Sequence, residues 1–232
     1  RIFNVAIRTI QLHQGKAIYG VGGGITWDST WESEYREVHQ KAAVLYRKQA
    51  RFKLITTGKI SQKNLLFEEQ HIERLRKASR YFAFPFDSEN LKQKIEEECQ
   101  ACDANQDYRL HISLDKSGEI EVDRQVLTAL SPSFCQAKLC LQEANLQQAF
   151  IYFKTTHRPH LSIGEQEIIY HNKSGELLET SIGNLVLKIS GKLYTPPIRL
   201  GILPGIYRQL LLETGQVEER VLTLKDLARA EA

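Results

Sequence analysis

Three features between residues 150 and 208 carry residue types that could together hold an aldehyde cofactor with a phosphate. Lys154 follows four apolar residues (FIYF), Glu179 ends a predicted hairpin segment, and Pro204 and Gly205 precede a predicted helix. An apolar setting lowers the pKa of an amine, so that the amine can attack an aldehyde. A carboxylate can pair with a protonated pyridine nitrogen, and a helix N-terminus offers free N–H groups to a phosphate. This combination predicts a pyridoxal phosphate site in which Lys154 is the reacting amine.

Four motifs stand in order along the chain and carry a family resemblance. They are HIERL at 71–75, KTTHR at 154–158, ELLETSIGNLVLKISGKLYTPP at 176–197 and LGILPGIYR at 200–208. Through them residues 52–232 resemble the fold-type IV pyridoxal phosphate enzymes of the class IV aminotransferase family, and within it the aminodeoxychorismate lyases. The resemblance implies a two-domain α/β (α+β) enzyme that forms a homodimer.

The predicted elements and the resemblance divide the chain into three parts. Residues 52–130 are expected to form a small α/β domain, and residues 136–232 a larger, strand-rich domain that binds the cofactor. Residues 131–134 (SPSF) read as the connection between these two domains, and residues 46–51 as a polar connector before them. Residues 1–45 form a separate segment.

The resemblance assigns a role to each residue of the expected site. Lys154 would carry the cofactor and act as the catalytic base, while Glu179 would pair with the pyridinium nitrogen. Arg74 would bind the phosphate from one side, and the backbone N–H groups of Ile206 and Tyr207 from the other. Many relatives have threonine where Tyr207 stands, so the usual hydroxyl contact is not expected here.

Other residues bear on the substrate and the reaction. Thr56 and Thr57 resemble the Thr-Thr pair of some lyases, where aminotransferases usually have Glu-Thr, and Thr56 is therefore assigned a catalytic role. Arg158 either meets a substrate carboxylate or anchors its loop, and Asn184 is expected to be structural. The segment between Lys154 and Glu179 is roughly eight residues, or two helical turns, shorter than in typical relatives. Either residues are missing from the sequence or this member lacks the helix found there.

The resemblance implies a lyase that converts 4-amino-4-deoxychorismate to 4-aminobenzoate and pyruvate in folate synthesis. One alternative is a branched-chain or D-amino acid aminotransferase with the same fold, cofactor and lysine. A second alternative is an inactive domain that supports a partner synthase, which the shortened segment and Tyr207 would favour.

Residues 1–45 resemble the C-terminal end of the chorismate-binding domain of para-aminobenzoate synthase component I. The matching pieces include FNVAIRT and GVGGGI, through which Arg8 and Gly22–Gly24 would face chorismate, with Glu34 and Glu37 near its magnesium. The sequence opens inside a motif, as expected for part of a longer fusion. The resemblance thus predicts a fused or associated aminodeoxychorismate synthase.

The composition excludes several other classes of function. A net charge of +3 without a run of basic residues argues against nucleic-acid binding. No apolar stretch reaches the length of a membrane span and no signal peptide is evident, so a cytoplasmic protein is expected. The pattern C-x2-C then C-x4-C (Cys99, Cys102, Cys135, Cys140) could suggest zinc. Because the first two cysteines continue an apolar helical stripe, we expect buried thiols and no metal site.

Periodicity predicts the elements that position these residues. In the N-terminal segment, Phe3, Val5 and Ile7 predict a strand, and QGKAIYGV predicts a second one after a turn. Further strands are predicted for RFKLITTGKI, YRLHISLD, EIEVDRQVLTAL, AKLCLQE, QAFIYF, EIIYHN, LLETS, NLVLKI and KLYT, with a short hairpin partner at NLLF. Helices are predicted for 32–45, 70–82, 88–102 with Ser88 as N-cap, 206–213 and 224–230. Turns are predicted at 172–175 and at Ser190-Gly191, and Gly215 should end the helix that begins at Ile206.

Overall fold

The computed structural model describes residues 9–46, 50–127, 136–143, 149–162 and 166–231. It divides into two compact units, Arg1–Ala50 and Arg51–Ala232. The predicted strand at residues 3–7, Arg8, Cys135 and the predicted connection at 131–134 lie outside the described residues. The division of residues 52–232 into two domains stays a prediction.

The first unit consists of a hairpin and one helix. Strands β1 (Ile10–His13) and β2 (Lys16–Tyr19) pair in antiparallel fashion, and helix α1 spans Trp31–Tyr46. The turn residues Gln14 and Gly15 have φ of 47° and 74°, which suits a two-residue hairpin loop. None of the described residues in this unit is buried. The predicted second strand and the helix from about residue 32 are confirmed.

The second unit begins with a four-stranded antiparallel sheet of order β4-β3-β5-β6. Its strands are β3 (Leu54–Ser61), β4 (Asn64–Leu65), β5 (Tyr108–Leu114) and β6 (Ile120–Val126). Helices α2 (Glu68–Phe82) and α3 (Ser88–Gln100) share one hydrophobic core with this sheet. In the predicted stripe of α2, Ile72, Leu75 and Ser79 are buried and Phe82 is partly buried against the same core. The predicted stripe Leu91, Ile95, Cys99 and Cys102 is buried as well, although Cys102 lies beyond the end of α3.

The N-cap of α3 differs from the prediction. Asp87, rather than Ser88, lies before the first helical residue, and its Oδ1 accepts hydrogen bonds from the N–H groups of Glu89 and Asn90 at 3.0 and 3.1 Å. A carboxylate at this position satisfies two N–H groups that have no partner within the helix. Two adjacent residues of capping type made the prediction wrong by one position.

The remaining strands form two three-stranded sheets. In one, β7 (Ala137–Leu141) runs parallel to β8 (Glu167–His171), which pairs with β9 (Leu177–Thr180). The other contains β10 (Leu187–Ile189), β11 (Lys192–Thr195) and β12 (Glu218–Glu219). Ser190 and Gly191 both have positive φ between β10 and β11, which confirms the predicted turn. Helices α5 (Ile206–Glu213) and α6 (Leu224–Leu227) complete the chain, and Gly215 follows α5 at φ +68°.

The segment QAFIYF, predicted as a strand, is helical where it is described. Helix α4 spans Ala149–Tyr152, and the Phe153 N–H donates to the Ala149 carbonyl at 3.0 Å. Phe150 and Phe153 stand three residues apart, a spacing that puts both rings on one helical face. There they meet Phe52 and Phe82, with Phe52 and Phe150 centroids 5.0 Å apart and Phe82 and Phe153 centroids 5.3 Å apart. Aromatic packing therefore decides against the strand.

Residues 154–156 pair with the start of β3, although about a hundred residues separate them in sequence. The Ile55 N–H donates to the Lys154 carbonyl at 3.0 Å, and the Thr156 N–H donates to the Lys53 carbonyl at 2.9 Å. The Lys53 N–H in turn donates to Thr156 Oγ1 at 2.9 Å. The backbone at Lys154 is thus fixed as an extra edge of the four-stranded sheet.

The described part of the stretch between Lys154 and Glu179 contains β8 and the start of β9 but no helix. Among the described residues, no helix combines the length and the apolar character needed to cross a bilayer.

The cap of α3 gives a test of the fold. We expect Asp87→Ala to lower the free energy of unfolding by about 1 kcal/mol, because two N–H groups at the helix N-terminus lose their acceptor. Ser88→Ala is the matched control and should change it by less than about 0.5 kcal/mol. Urea unfolding of both variants measures the difference, and equal losses would contradict the assignment of Asp87.

Candidate active site

A cavity of about 670 Å³ opens between α2, α5, the turn after β9 and the segment that carries Lys154. This volume is in the range of pockets that hold small ligands. Charged and polar side chains line part of the cavity, and apolar side chains line much of the remainder. The lining residues include Thr57, His71, Arg74, Lys154, Arg158 and Glu179 on the polar side and Leu66, Phe67, Ile182, Val186 and Tyr207 on the apolar side.

Lys154 lies in the cavity with a half-buried side chain. Burial lowers the pKa of its ammonium to about 7, and the positive charges of Arg74, Arg158 and Arg109 add to the effect. About half of the amine is therefore unprotonated near neutral pH, compared with a very small fraction for an exposed lysine. Its backbone hydrogen bond to β3 fixes where the side chain begins. The site thus presents a positioned amine that can act as a nucleophile.

Glu179 is only 3% exposed and belongs to β9. The Leu203 N–H donates to its Oε2 at 3.1 Å, whereas its Oε1 is buried without a hydrogen-bond partner among the described residues. Burial raises the pKa of this carboxyl to about 7. A buried carboxylate oxygen that lacks a partner is costly unless a ligand supplies a donor. A protonated pyridine nitrogen is such a donor, so Glu179 fits the cofactor.

Arg74 and the N-terminus of α5 meet on another side of the cavity. Arg74 Nη2 donates to the Pro204 carbonyl at 2.7 Å, directly before Gly205, the N-cap of α5. Burial and the charge of Arg158 lower the pKa of Arg74 to about 10. No side chain caps α5, so that the N–H groups of its first turn, including Ile206 and Tyr207, remain free for an anion. The arrangement suits a phosphate.

The Asn184 side chain packs against the backbone of residues 203–205, which leads into α5. Its Nδ2 donates to the Leu203 carbonyl at 2.8 Å, and a Cβ built on Gly205 would lie 1.9 Å from Asn184 Oδ1. Only glycine therefore fits at position 205 without a shift. Asn184 also forms an isolated β-bridge with Glu179. Its contacts are consistent with the structural role predicted for it.

The two threonines of β3 point in opposite directions. Thr56 is fully buried on the core face, where its Oγ1 lies 2.6 Å from His71 Nδ1. Thr57 lines the cavity and lies 3.3 Å, Oγ1 to Nδ1, from His111. Thr56 therefore reaches the cavity only through His71, whose pKa is lowered to about 4, mainly by burial. The catalytic role assigned to Thr56 stays a prediction; in this structure its hydroxyl contacts His71 and does not line the cavity.

Two arginines complete the polar lining. Arg158 Nε donates to the Thr155 carbonyl at 3.3 Å, which supports the predicted loop anchor, while its side chain also lines the cavity. Arg208 is 4% exposed and donates through Nη2 to the Pro196 carbonyl and to Glu219 Oε1 at 2.7 and 2.6 Å.

The structure brings Lys154, Arg74, Glu179, Ile206, Tyr207 and Arg158 together in one cavity and leaves Thr56 behind it. The sequence analysis assigned no site role to His71 or Arg208, and of the two threonines it assigned the catalytic role to Thr56 rather than Thr57. A signal existed for the first, because His71 opens the motif that contains Arg74. A signal also existed for Thr57, because Leu54 and Ile60 alternate with it and mark the core face of β3.

Comparison with known proteins follows the same division of the chain. Residues 53–232 match the model of the family described as amino-transferase class IV, and residues 2–47 match that of chorismate binding enzymes. Both resemblances seen in the sequence are thereby confirmed.

Individual relatives are distant. A proposed aminodeoxychorismate lyase of Schizosaccharomyces pombe is 22% identical over 161 residues, which cover 64% of this chain and 68% of that protein. The aminodeoxychorismate lyase of Saccharomyces cerevisiae is 34% identical over 97 residues, which cover 31% of this chain. That match spans only 26% of the length of the S. cerevisiae protein.

A solved structure has the same fold. The PLP-bound form of a hypothetical aminotransferase from Mycobacterium tuberculosis superposes with a TM-score of 0.63 at 18% identity, covering 77% of this chain and 74% of that one. Because the family model covers most of the chain, the α/β fold and the predicted family are confirmed together. The chain belongs to amino-transferase class IV, a family of enzymes that depend on pyridoxal phosphate.

Proposed function

We propose that this chain binds pyridoxal phosphate and converts 4-amino-4-deoxychorismate to 4-aminobenzoate and pyruvate. The observation that carries the proposal is the meeting of three groups in one cavity. They are the amine of Lys154, the buried carboxylate of Glu179 with a free oxygen, and Arg74 beside the N-terminus of α5. An aldehyde, a ring nitrogen and a phosphate are their chemical complements.

Each group has a distinct task in this proposal. Arg74 and the N–H groups of Ile206 and Tyr207 hold the phosphate. Glu179 keeps the ring nitrogen protonated, because a carboxylate beside that nitrogen stabilises its positive charge. Lys154 would hold the cofactor through its aldehyde carbon. When bound, pyridoxal phosphate supplies an electron sink for the charge left when a proton leaves carbon next to the substrate nitrogen.

Lys154 then acts as the base. A free amine whose pKa is about 7 can accept the proton at C4 of the substrate and then pass a proton to the departing enolpyruvyl group. Removal of that proton allows the ether bond between the ring and the enolpyruvyl group to break. The group leaves as pyruvate and the ring becomes aromatic, so that substrate atoms are fully accounted for in the two products.

Arg158 is proposed to recognise the substrate. 4-Amino-4-deoxychorismate carries two carboxylates, and Arg158 lines the cavity with a half-buried side chain. Burial lowers the pKa of Arg158, and the charge of Glu179 opposes that effect. The guanidinium of Arg158 can donate two parallel hydrogen bonds to a substrate carboxylate.

The lyase reaction is favoured over transamination by features outside the cofactor site. Relatives named as aminodeoxychorismate lyases match the chain, and residues 2–47 match chorismate binding enzymes. An associated or fused aminodeoxychorismate synthase would supply the substrate, and two copies of the chain are proposed to form a dimer. The fold itself is also compatible with the aminotransferase alternative, since the M. tuberculosis structure is named as an aminotransferase.

The assignment of Lys154 can be tested by reductive trapping. Borohydride treatment of the protein with pyridoxal phosphate should attach the cofactor to Lys154, and Lys154→Ala should abolish the attachment. Lys59→Ala is the control, because Lys59 also lines the cavity but is paired with Asp107 at 2.6 Å. Peptide mass spectrometry identifies the modified residue. An adduct at another lysine in the Lys154→Ala variant would exclude the assignment.

Removal of Arg74 should weaken cofactor binding more than the chemistry at saturating cofactor. Charge-assisted hydrogen bonds contribute roughly 1.5–3 kcal/mol, so Arg74→Ala should raise the Kd for pyridoxal phosphate by about 10- to 150-fold. The Kd for pyridoxal, which lacks the phosphate, should change little. Arg76→Ala on the same helix is the control, because Arg76 pairs with Glu73 at 2.6 Å. An unchanged Kd in Arg74→Ala would show that Arg74 does not bind the phosphate.

The reaction is tested by supplying 4-amino-4-deoxychorismate and measuring 4-aminobenzoate and pyruvate. Leucine or D-alanine with 2-oxoglutarate tests transamination in parallel. We expect lyase activity, and a more than tenfold lower rate in Glu179→Gln, because hydrogen bonds to charged groups contribute roughly 1.5–3 kcal/mol and an amide has no charge.

The outcomes of this assay separate the alternatives. Transamination without an aromatic product would contradict the lyase proposal and leave the cofactor site standing. Cofactor binding without either activity would favour a supporting domain whose segment after Lys154 is too short for catalysis.

A further inference from the structure

Two aromatic rings meet at the rim of the cavity beside α5. Phe67 is the residue directly before α2, and Tyr207 is the second residue of α5. Their ring centroids lie 6.3 Å apart with the planes tilted by 50°, and both residues line the cavity. This separation is within the range in which aromatic pairs attract one another.

The backbone at Phe67 is strained. Its φ of 59° and ψ of 38° place it in the left-handed region, which glycine or asparagine occupies readily and a bulky residue does not. Phe67 also provides no side-chain hydrogen bond to cap α2. Neither the turn geometry nor the capping of α2 therefore requires a phenylalanine at position 67. The pairing of its ring with that of Tyr207 beside the cavity gives a reason for this residue type. Strained residues of this kind cluster at ligand clamps.

The same two helices are joined a second time beside the anion site. Arg74 of α2 donates to the carbonyl of Pro204, just before α5. The ring pair and this hydrogen bond together hold α2 and α5 around the free N–H groups at the N-terminus of α5. Phe67 is partly buried and Tyr207 is 61% exposed, so the ring pair stands on the open side of this end of the cavity.

We propose that Phe67 and Tyr207 form an aromatic clasp that covers the phosphate end of the cavity and slows the release of phosphorylated cofactor. The proposal rests on the proposed cofactor and assigns retention, not catalysis, to the two rings. The strain at Phe67 is the structural cost of that retention.

Pyridoxamine 5′-phosphate is a suitable probe, because it binds without a covalent bond to Lys154. Its release after addition of excess competitor is followed by fluorescence, with pyridoxamine as the ligand without phosphate. Phe67→Gly should release the phosphorylated ligand about two- to tenfold faster, the range that corresponds to the energy of an aromatic pair. Release of pyridoxamine should change less than about twofold, and the Tm of the ligand-free chain should stay the same or rise as strain is relieved.

Ala83 offers a matched control. It stands directly after α2 with φ 56° and ψ 45°, and it does not line the cavity. Ala83→Gly therefore relieves the same kind of strain at the other end of the helix and should leave release unchanged. Tyr207→Ala should match Phe67→Gly, because each variant removes one ring of the pair. The double variant should be no faster than either single one.

Each result decides the proposal. Unchanged release in both Phe67→Gly and Tyr207→Ala, or equal acceleration of both ligands, would overturn the clasp and leave the proposed cofactor intact. Failure of the unmodified chain to bind pyridoxamine 5′-phosphate would overturn both. Should Phe67→Gly fail to fold, Tyr207→Ala carries the same test, with Ala83→Gly as its control.

Discussion

An excess of partly buried positive charge is the constraint on which the cavity depends. Lys154, Arg74 and Arg158 line the cavity together with Glu179, the one carboxylate among its described lining residues. Burial lowers the pKa of all three cations; neighbouring arginines add to this effect at Lys154 and Arg74, whereas the charge of Glu179 opposes it at Arg158. A polyanionic ligand would supply negative charge to these cations and so reduce this cost. Binding of such a ligand would therefore stabilise the folded chain.

Patterns among neighbouring residues were sufficient to predict most of the helices, strands and turns. The apolar stripe of α2, the bounds of α5 and the turn at Ser190-Gly191 all depend on neighbouring residues, and all were predicted correctly. The segment QAFIYF was not, because its strand-forming residues are also spaced for one helical face. The helix forms because rings from distant parts of the sequence, such as Phe52, pack against the face that carries Phe150. Tertiary packing overrides local preference at this point.

The site could be predicted as a set of residues but not as a geometry. Motifs identified Lys154, Arg74 and Glu179, and the fold brings all three to one cavity. The bond between Arg74 and the Pro204 carbonyl joins residues far apart in sequence, and no pattern along the chain encodes it. The sequence also does not show which of two adjacent threonines faces the cavity. Thr56 and Thr57 both matched the motif, and the structure distinguishes them because Thr56 is buried against His71.

The pairing of residues 154–156 with β3 has a consequence for dissecting the chain. A cut within residues 128–135 would leave Lys154 and Glu179 on one fragment and Lys53 and Ile55, which hold the backbone of Lys154 in place, on the other. The C-terminal fragment would then contain both reacting groups without the strand that orients the amine. Reassembly of the two fragments would restore that edge of the sheet, so the reactivity of one lysine becomes a reporter of fragment complementation.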